Sequence, residues 1–586
     1  MVRETGSAPN QADTVTFWRG LWSEPVNHSE GPRTEVVAVR TTYFKRLRVC
    51  RMSSSSVNVK FRWGLTTSDP EQQPVLFVGQ ASHLNTLTWQ DVRCKLEPRV
   101  TEEVWKRGLS VVTAAEACEL WPRGASLAAL PARRSRHAAP SRAHALSKIV
   151  RAAQRTSAAE EYIVLVCRKR DVLASAVGIA RAVPQYSARS ACAPLGTPPS
   201  PQPPPHRDLN VEILLVADEK REGDSDDEGV GPLEPVLMEQ TLTDEELGTV
   251  QRIADMTRLA ARITDTPANI MHVQAFIEEA CKLAKELDIP EPTIIQGEEL
   301  RERGMGGIYG VGKAASRPPA LVSLSYKAPG ATQSVAWVGK GIVYDTGGLS
   351  IKARSSMVGM KGDCGGAAAV LGAFAAMVRE RPTVDLHAVL CLAENAVGPD
   401  STRPDDIHQL YSGRTVEINN TDAEGRLVLS DGVVYAQRDL KADTIVDIAT
   451  LTGAQGTATG KYHAGVLSNC AALERRCVRA GLRSGELAHA LPFAPELHFT
   501  EFSSVVADMK NSVADRNNAQ PSCAGLFILA HLGFDFRGAW LHIDMAAPAH
   551  SGERATGYGV ALLNVLFGAH TNSRLLRALA PGALND

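Results

Sequence analysis

The sequence predicts an α/β protein with two α/β domains joined by a helix. The C-terminal domain is expected to have a mainly parallel, mixed sheet covered by helices on both faces. In that half, near-continuous apolar runs of strand length alternate with helical segments, which is typical of a sheet buried on both sides. In the N-terminal half, shorter strand-like runs are separated by alanine-rich helical stretches. The chain has 586 residues, enough for roughly two to four domains.

The predicted N-terminal domain covers residues 57–219 and follows a poorly ordered leader, residues 1–56, which has no sustained hydrophobic period. The strand-like runs of this domain are Pro74–Val78, Glu161–Val166 and Val211–Val216. A proline-rich insertion near residues 196–207 precedes the last of these runs. We expect the insertion to be a spacer, and an SH3-like partner is the alternative interpretation.

Residues 220–262 are predicted to be an acidic linker followed by the connecting helix. The linker contains the acidic run Asp224–Glu228, which favours a solvated segment. Thr243 and Glu246 have the spacing of a capping box, and apolar residues follow them at helical intervals, so a helix is expected to begin here. The remaining residues, 263–586, form the predicted C-terminal domain.

Charge and composition disfavour several classes of protein. Lys and Arg total 63 against 65 for Asp and Glu, so no long-range attraction to nucleic acid or to an anionic membrane is expected. The basic run Arg133–His137 has no interleaved aromatic residues and is expected to be a solvated face. Eleven cysteines occur without a Cys-x-x-Cys pair, which is typical of reduced thiols in the cytoplasm.

Targeting segments are not evident either. No early window combines a basic start, an apolar run and a small-residue cleavage site, so a secretory signal is not expected. The uncharged, alanine-rich run Cys364–Val378 is shorter than the roughly 20 residues that a membrane-spanning helix needs. We therefore expect a soluble, cytoplasmic protein with neither a membrane nor a nucleic acid as partner.

Three segments of the C-terminal domain place polar residues beside predicted strand ends and helix starts, where open α/β sheets bind their ligands. They are Gly339–Lys352, Met360–Gly366 and Asn419–Gly432. The third carries two acids one residue apart, Asp422 and Glu424, just before a helical run. Taken alone, this acidic pair could be an ordinary helix start, which the helix dipole favours.

The three segments together supply four carboxylates and one lysine as candidate metal ligands: Lys340, Asp345, Asp363, Asp422 and Glu424. Two more cations, Lys352 and Arg426, lie in the same segments. Four acids in one crevice would be strongly destabilising without counter-charge, and two divalent ions would balance them. Two metal ions therefore explain these residues better than none.

Other kinds of site have less support. Neither a dinucleotide-binding nor a P-loop spacing occurs among the glycines of Gly339–Lys352, and a His-Glu-x-x-His zinc motif is absent from the sequence. His387, His463 and His542 are expected to be packing or surface residues. Cys364, next to an acid, is expected to be a small buried residue and not a nucleophile.

The three segments resemble the motifs of the leucyl (cytosol) aminopeptidase family. Asn420–Leu427 is similar to the signature octapeptide of that family, and Lys340–Lys352 and Met360–Gly366 match its other two motifs in order and spacing. The resemblance covers about residues 260–568. An animal branch of the family is the most similar, because residues 99–105 and 130–144 also match its pattern.

The resemblance implies a set of metal ligands and a reaction. One ion would be held by Lys340, Asp345, Asp363 and Glu424, and a second by Asp345, Asp422 and Glu424. The lysine could ligate only as a neutral amine, so the site would have to lower its pKa. The reaction would be hydrolysis at the free amino end of a peptide by a metal-bridging hydroxide.

The resemblance also assigns the other site residues. Lys352 would stabilise the oxyanion, and Arg426 would hold a bicarbonate ion that shuttles the proton. The residues implied for the substrate pocket are Met360, Asn420, Thr450, Leu451 and Gly453. Ordinary packing at a strand end is an equal alternative for Thr450 and Leu451. The family further implies a homohexamer with two zinc or manganese ions per chain.

Two other functions remain open at this point. The first is a metal-binding scaffold or interaction protein without turnover, which the presence of both Lys352 and Arg426 disfavours. The second is a two-metal phosphoesterase, which the absence of histidine from the cluster disfavours. The preferred substrate side chain also stays open, because Cys364 stands where relatives often carry methionine and Ser503–Cys523 lacks a glycine-rich run usual in the family.

Overall fold

The computed structural model describes residues 57–112, 117–154, 158–188, 207–217 and 234–582. These residues form two α/β domains, each built around its own sheet and connected by a helix, which confirms the predicted fold class. The predicted leader, the proline-rich insertion up to residue 206 and the acidic run before residue 234 lie outside the described residues. The exact domain boundaries stay a prediction.

The sheet of the N-terminal domain has six strands in the order β1-β6-β5-β2-β4-β3. All neighbours are parallel except β3 and β4. The three predicted strand runs correspond to β2, β5 and β6. The strands are β1 Val57–Trp63, β2 Val75–Gln80, β3 Ala117–Trp121, β4 Ala125–Leu130, β5 Glu160–Cys167 and β6 Arg207–Leu215. The helices of this domain are Ala81–Leu84, Trp89–Leu96, Glu102–Val111, Ala143–Ala153 and Val172–Ala182.

Both faces of this sheet are covered, because side chains alternate along each strand. On one face, Phe77 packs against Trp105 of the Glu102–Val111 helix, with ring centroids 5.1 Å apart. On the other face, Val78 belongs to the same buried cluster as Val177 of the Val172–Ala182 helix. The helices that follow β2 and β5 therefore lie on opposite faces of the sheet.

The helix Asp244–Asp265 joins the two domains, and we call it the linking helix. The predicted capping box is present: Glu246 N–H donates to the Thr243 hydroxyl at 3.2 Å, and Thr243 N–H donates to the Glu246 carboxylate at 2.9 Å. Gln251 on this helix bonds to the backbone of β1, whereas the Thr249 hydroxyl donates to Glu380 in the C-terminal domain. The linking helix thus contacts both domains.

The C-terminal domain contains an eight-stranded sheet in the order β15-β14-β17-β13-β9-β10-β8-β7. Its centre, from β17 through β13 and β9 to β10, is parallel, and antiparallel pairs flank this centre. The strands of this sheet are β7 Thr293–Gln296, β8 Ala320–Tyr326, β9 Ser334–Asp345, β10 Asp385–Asn395, β13 Thr444–Ala449, β14 Ala464–Ser468, β15 Ala488–Ala490 and β17 Ala539–Asp544. A three-stranded sheet contains β11 Ile407–Gln409, β12 Thr415–Glu417 and β16 Met509–Lys510, and a two-stranded sheet contains β18 His550–Ser551 and β19 Arg554–Ala555.

Helices cover both faces of this larger sheet. Gly365–Arg379 lies between one face and the linking helix, and it is buried along nearly its whole length. Gly425–Arg438 and Gln520–Leu532 cover the other face. The remaining helices are Val273–Glu286, Glu298–Glu302, Gly306–Gly312, Arg354–Met357, Gly453–Ala458, Ala471–Ser484, Pro495–His498, Val560–Leu566 and Arg574–Leu579. Among the helices that the structure describes, none has the length and apolar character needed to cross a membrane.

Candidate active site

The candidate site lies at the centre of the larger sheet, where three chain segments meet. Strand β9 supplies Lys340 and ends at Asp345, so both are strand residues. A single 3-10 turn, Met360–Cys364, places Asp363 directly before the buried Gly365–Arg379 helix. The loop that leads into the Gly425–Arg438 helix supplies the two remaining acids. The structure therefore brings together the five side chains that the sequence nominated as metal ligands.

Lys340 is buried among carboxylates. Its Nζ lies 2.8 Å from Asp363 Oδ1 and 2.8 Å from Glu424 Oε1, and it donates a hydrogen bond of 3.0 Å to the carbonyl of Thr450. Burial alone would lower the pKa of Lys340, but the neighbouring carboxylates outweigh burial and raise it above its ordinary value. Without metal ions, Lys340 is thus the cation that neutralises this side of the cluster.

Lys352 pairs with the other side of the same cluster. Its Nζ lies 2.7 Å from Asp345 Oδ2 and 2.5 Å from Asp422 Oδ1. Burial would lower the pKa of Lys352, whereas the charges of Asp345 and Glu424 and its hydrogen bonds raise it. The side chain is 14% exposed, compared with 3% for Lys340. Lys352 therefore stays charged and lies closer to solvent.

The acids have more oxygen atoms than the protein satisfies. Asp345, Asp422 and Glu424 each offer a carboxylate oxygen, and these three atoms lie within 4.8 Å of one another. Asp363 Oδ2 and Glu424 Oε2 are buried without a hydrogen-bond partner among the described residues. Burial raises the pKa of Asp363, Asp422 and Glu424. Buried carboxylate oxygens without partners are costly, and divalent cations would satisfy them, so these residues fit a metal centre.

Neighbouring side chains hold the acids in place. Asn395, the last residue of β10, donates its amide to Asp345 Oδ1 at 2.8 Å and to the carbonyl of Thr421 at 3.1 Å. The Thr450 hydroxyl donates to Asp363 Oδ1 at 2.8 Å. Partners of this kind orient metal ligands and tune their affinity. Asn395 could not be predicted from the sequence, because its position beside Asp345 depends on the registration of β10 against β9.

Arg426 is buried in an aromatic setting beside the acids. Its guanidinium carbon lies 5.9 Å from the ring centre of Phe502 and 6.0 Å from that of Phe527. Nη1 donates to the carbonyl of Asn511 at 3.0 Å, and Nε has no hydrogen-bond partner among the described residues. Burial lowers the pKa of Arg426 to about 10. A buried guanidinium with an unused donor is suited to a small anion.

Asn511 is a second site residue that the sequence analysis missed. Its amide donates to the carbonyls of Asn420 at 2.7 Å and Ala423 at 3.2 Å, and its Oδ1 accepts the backbone N–H groups of Asn419 and Asn420. Asn511 therefore fixes the loop that carries Asp422 and Glu424, and its backbone carbonyl accepts a hydrogen bond from Arg426. No local pattern marks this residue, since its partners lie about 90 positions away in the chain.

The residues nominated for substrate binding lie within the ligand-bearing segments or directly follow β13, where Thr450 contacts Lys340. Met360 begins the turn that carries Asp363, and Asn420 Oδ1 accepts the backbone N–H of Asp422 at 3.0 Å. Leu451 is half-buried against the core, and Gly453 begins a short helix with open space where a side chain would lie. These positions are compatible with a pocket wall, and their role in substrate binding stays a prediction.

The other residues named in the sequence analysis lie outside the ligand set. Cys364 is buried, and burial raises the pKa of its thiol to about 12. His387 is buried with its Nδ1 at 2.7 Å from the Ser325 hydroxyl, and His542 is buried against Asp447. His463 Nε2 lies 2.9 Å from a backbone carbonyl.

Comparison with protein families gives two matches. Residues 258–564 match the family described as cytosol aminopeptidase family, catalytic domain. Residues 73–192 match the M17 aminopeptidase N-terminal domain 2. The first match contains all the nominated metal ligands, and the second lies within the six-stranded N-terminal domain.

Similar proteins extend over most of the chain. The probable aminopeptidase NPEPL1 of Homo sapiens is 53% identical over 532 residues, which is 90% of this chain and 96% of that protein. Leucine aminopeptidase 1 of Caenorhabditis elegans is 40% identical over 507 residues, covering 86% of this chain and 96% of that protein.

Solved structures show the same fold. The leucine aminopeptidase structure from Caenorhabditis elegans aligns with a TM-score of 0.79 at 37% identity, covering 89% of this chain and all of that one. The leucyl aminopeptidase of Trypanosoma brucei in complex with bestatin aligns with a TM-score of 0.72 at 34% identity, covering 88% and 96% of the two chains.

Proposed function

This chain belongs to the cytosol aminopeptidase family, and on that premise we propose that it removes unblocked N-terminal residues from peptides with the help of two divalent metal ions. Family membership supports the aminopeptidase reaction. One structural observation supports the metal ions: a cluster of buried acids whose oxygens Asp363 Oδ2 and Glu424 Oε2 have no hydrogen-bond partner among the described residues.

Five side chains would hold the two ions. Lys340, Asp345, Asp363 and Glu424 would hold one, and Asp345, Asp422 and Glu424 would hold the other. Zinc and manganese are the candidate metals. When bound, such ions polarise the carbonyl of the scissile bond and activate a water molecule for attack.

Lys340 would change its protonation state when the site is loaded. An ammonium group has no lone pair, so the side chain can become a ligand only after it loses its proton. Lys340 Nζ lies 2.8 Å from oxygens of both Asp363 and Glu424, and these carboxylates favour its charged form. Metal binding at this position is therefore expected to release a proton.

Lys352 would act on the substrate. It is charged, it is held by Asp345 and Asp422, and it is more exposed than Lys340. An ammonium fixed in this way can stabilise the negative charge that develops on the carbonyl oxygen during hydrolysis. The salt bridges keep Nζ in place before the substrate arrives.

Arg426 would hold a bicarbonate ion for proton transfer. Its Nη1 bond to Asn511 and the flanking rings of Phe502 and Phe527 fix the guanidinium, and its unpaired Nε offers a donor to an anion. None of the nominated ligands is a histidine, and the four carboxylates would be engaged by the ions, so a bound anion would supply the proton acceptor.

The proposal is tested with the purified full-length protein and added manganese or zinc. We expect release of free amino acid from unblocked aminoacyl amides and none from N-acetylated ones, with loss of activity after chelation and recovery on adding metal back. Glu424→Ala should abolish turnover, whereas Glu496→Ala, at an exposed helical position, should leave it intact.

Two results would contradict the proposal and point to the alternatives. A protein that binds metal tightly but releases no amino acid from any unblocked amide would be a scaffold. Hydrolysis of phosphate esters without peptidase activity would indicate a phosphoesterase.

We further propose that the chain assembles as a homohexamer in the cytoplasm, as the family resemblance implies. Light scattering after gel filtration should give six times the mass of one chain. A stable monomer that retains full peptidase activity would contradict the assembly, although not the reaction.

A further inference from the structure

The N-terminal domain contains a cavity of about 500 Å³ that no residue of the candidate active site lines. Four of its lining side chains are arginines, Arg134, Arg142, Arg168 and Arg170, and Asp91 is the one acid among the lining residues that the structure describes. The whole chain has a formal net charge of −2. The described lining of this cavity, which we call the arginine cavity, is therefore rich in guanidinium groups.

The arginine cavity lies at the carboxyl ends of adjacent parallel strands. His83 follows β2, Arg134 follows β4, Arg168 and Arg170 follow β5, and Val216 follows β6. The helices that follow β2 and β5 lie on opposite faces of the sheet. Neighbouring strands whose connections leave to opposite faces form a crevice between them, and open α/β sheets bind their ligands in such crevices.

The arginine cavity is built by specific contacts. Arg142 donates to the carbonyls of Pro131 at 3.0 Å and Ala132 at 2.7 Å, which fixes one wall. Arg168 Nε is paired with Asp171 at 3.0 Å, which orients that guanidinium. Lys169, between Arg168 and Arg170, does not line the cavity, because its Nζ is paired with Glu239 and Glu246.

One residue of the basic run has a different environment from its neighbours. Arg133, Arg136 and His137 are exposed, in agreement with the solvated face expected from the sequence. Arg134 is half-buried and lines the arginine cavity. The sequence could not separate Arg134 from the rest of the run, because the cavity forms only when β2, β4, β5 and β6 are side by side.

The lining suits a phosphate group joined to an organic part. Guanidinium groups bind phosphate oxygens with paired, charge-assisted hydrogen bonds. His83 Nδ1 is buried without a hydrogen-bond partner among the described residues, and burial together with Arg168 lowers the pKa of His83 to about 4. The ring is therefore neutral at pH 7 and can hydrogen-bond to a ligand. Leu87, Leu214 and Val216 form an apolar wall beside these polar groups.

We propose that the arginine cavity binds a small organic phosphate of about the size of a nucleotide. Arg134, Arg168 and Arg170 would hold the phosphate, and the apolar wall would contact the organic part. The volume lies within the roughly 300–1,000 Å³ that is usual for small-molecule sites. The proposal is independent of the peptidase reaction, since none of these residues belongs to the candidate active site.

Calorimetric titration of the full-length protein with pyrophosphate and with ATP tests the proposal. We expect saturable binding of one molecule per chain, with ATP bound more tightly than pyrophosphate because it also contacts the apolar wall. The double variant Arg134→Ala/Arg168→Ala should bind ATP at least about ten-fold more weakly, since two charge-assisted contacts are lost. Arg136→Ala, an exposed position in the same basic run, is the control and should bind as the wild type does.

Three outcomes would overturn the proposal. They are the absence of saturable binding of either probe by the wild type, equal ATP affinity in the double variant and the wild type, and equal affinity for pyrophosphate and ATP. Peptidase activity and thermal unfolding of each variant report on folding. If the double variant does not fold, the single variant Arg134→Gln replaces it, because this side chain is only half-buried.

Discussion

Asn395 donates a hydrogen bond of 2.8 Å from its side-chain amide to Oδ1 of Asp345, the proposed bridging ligand. The same amide donates to the carbonyl of Thr421, next to the acidic pair. One side chain at the end of β10 therefore sets the distance between the ligand on β9 and the loop that carries the other acids. The geometry of the proposed metal centre therefore depends on strand registration as well as on the nominated ligands.

Replacing Asn395 with alanine is expected to weaken metal binding. Loss of the amide removes a bond that orients Asp345, and such partners usually contribute about 10- to 100-fold to metal affinity or activity. Metal titration followed by a peptidase assay at saturating metal measures the two effects separately. Asn572→Ala, at an exposed position, is the matched control. An unchanged metal affinity in Asn395→Ala would show that Asp345 is held without this bond.

The glycine at position 425 is expected to be essential for the position of Lys340. A Cβ atom on Gly425 would lie 2.6 Å from Lys340 Cε and 2.7 Å from its Nζ, so alanine would push the lysine away from the carboxylates. We expect Gly425→Ala to lower metal affinity and kcat by more than about ten-fold, because geometry at the ligands is lost. Gly453→Ala provides the comparison, since its Cβ meets open space.

The two glycine variants should also affect different kinetic and binding constants. Gly453→Ala is expected to bind metal like the wild type and to change KM only, because the nominated pocket would gain a methyl group. If both variants lose metal equally, the effect comes from helix starts in general and not from contact with Lys340.

The sequence was sufficient for the parts of the molecule that local pattern encodes. Apolar runs located β2, β5 and β6, and the capping box located the start of the linking helix. The motif residues indicated the five side chains that meet at the candidate site, because charged side chains beside apolar runs are conspicuous. Asn395, Asn511 and the arginine cavity could not be predicted, since each depends on segments distant in the sequence that meet only in the folded sheet.

Buried histidines should make the fold sensitive to acid, and His531 is the clearest case. Burial, with a smaller contribution from Arg414, lowers the pKa of His531 to about 3. Between that value and its ordinary pKa near 6.5, the unfolded chain binds the proton more strongly than the folded chain does. The free energy of unfolding is therefore at its full value above pH 6.5 and decreases as the pH falls. For this single group the decrease is about 2 kcal/mol between pH 7 and pH 5.

Unfolding by urea at pH 7 and at pH 5 tests this expectation in His531→Asn. Asparagine can keep a bond to Ser412, the present partner at 2.7 Å, but does not titrate. The variant should be less stable than the wild type at pH 7, because contact with Phe527 is lost, yet it should lose about 2 kcal/mol less on acidification. Ser412→Ala, which keeps the titrating ring, should retain most of the wild-type pH dependence. Equal pH dependence in His531→Asn and the wild type would refute the assignment.

Arg426→Lys tests whether the guanidinium holds a proton-carrying anion. Lysine preserves the charge, but its single nitrogen cannot both donate to the carbonyl of Asn511 and present a paired set of donors to bicarbonate. We expect kcat to fall by about 100-fold, within the range of general acid–base catalysis, and metal affinity to stay unchanged. Added bicarbonate should stimulate the wild type and leave the variant unaffected. Arg438→Lys, on the exposed end of the same helix, should retain both the activity and the response. A full bicarbonate response in Arg426→Lys would place the anion elsewhere in the site.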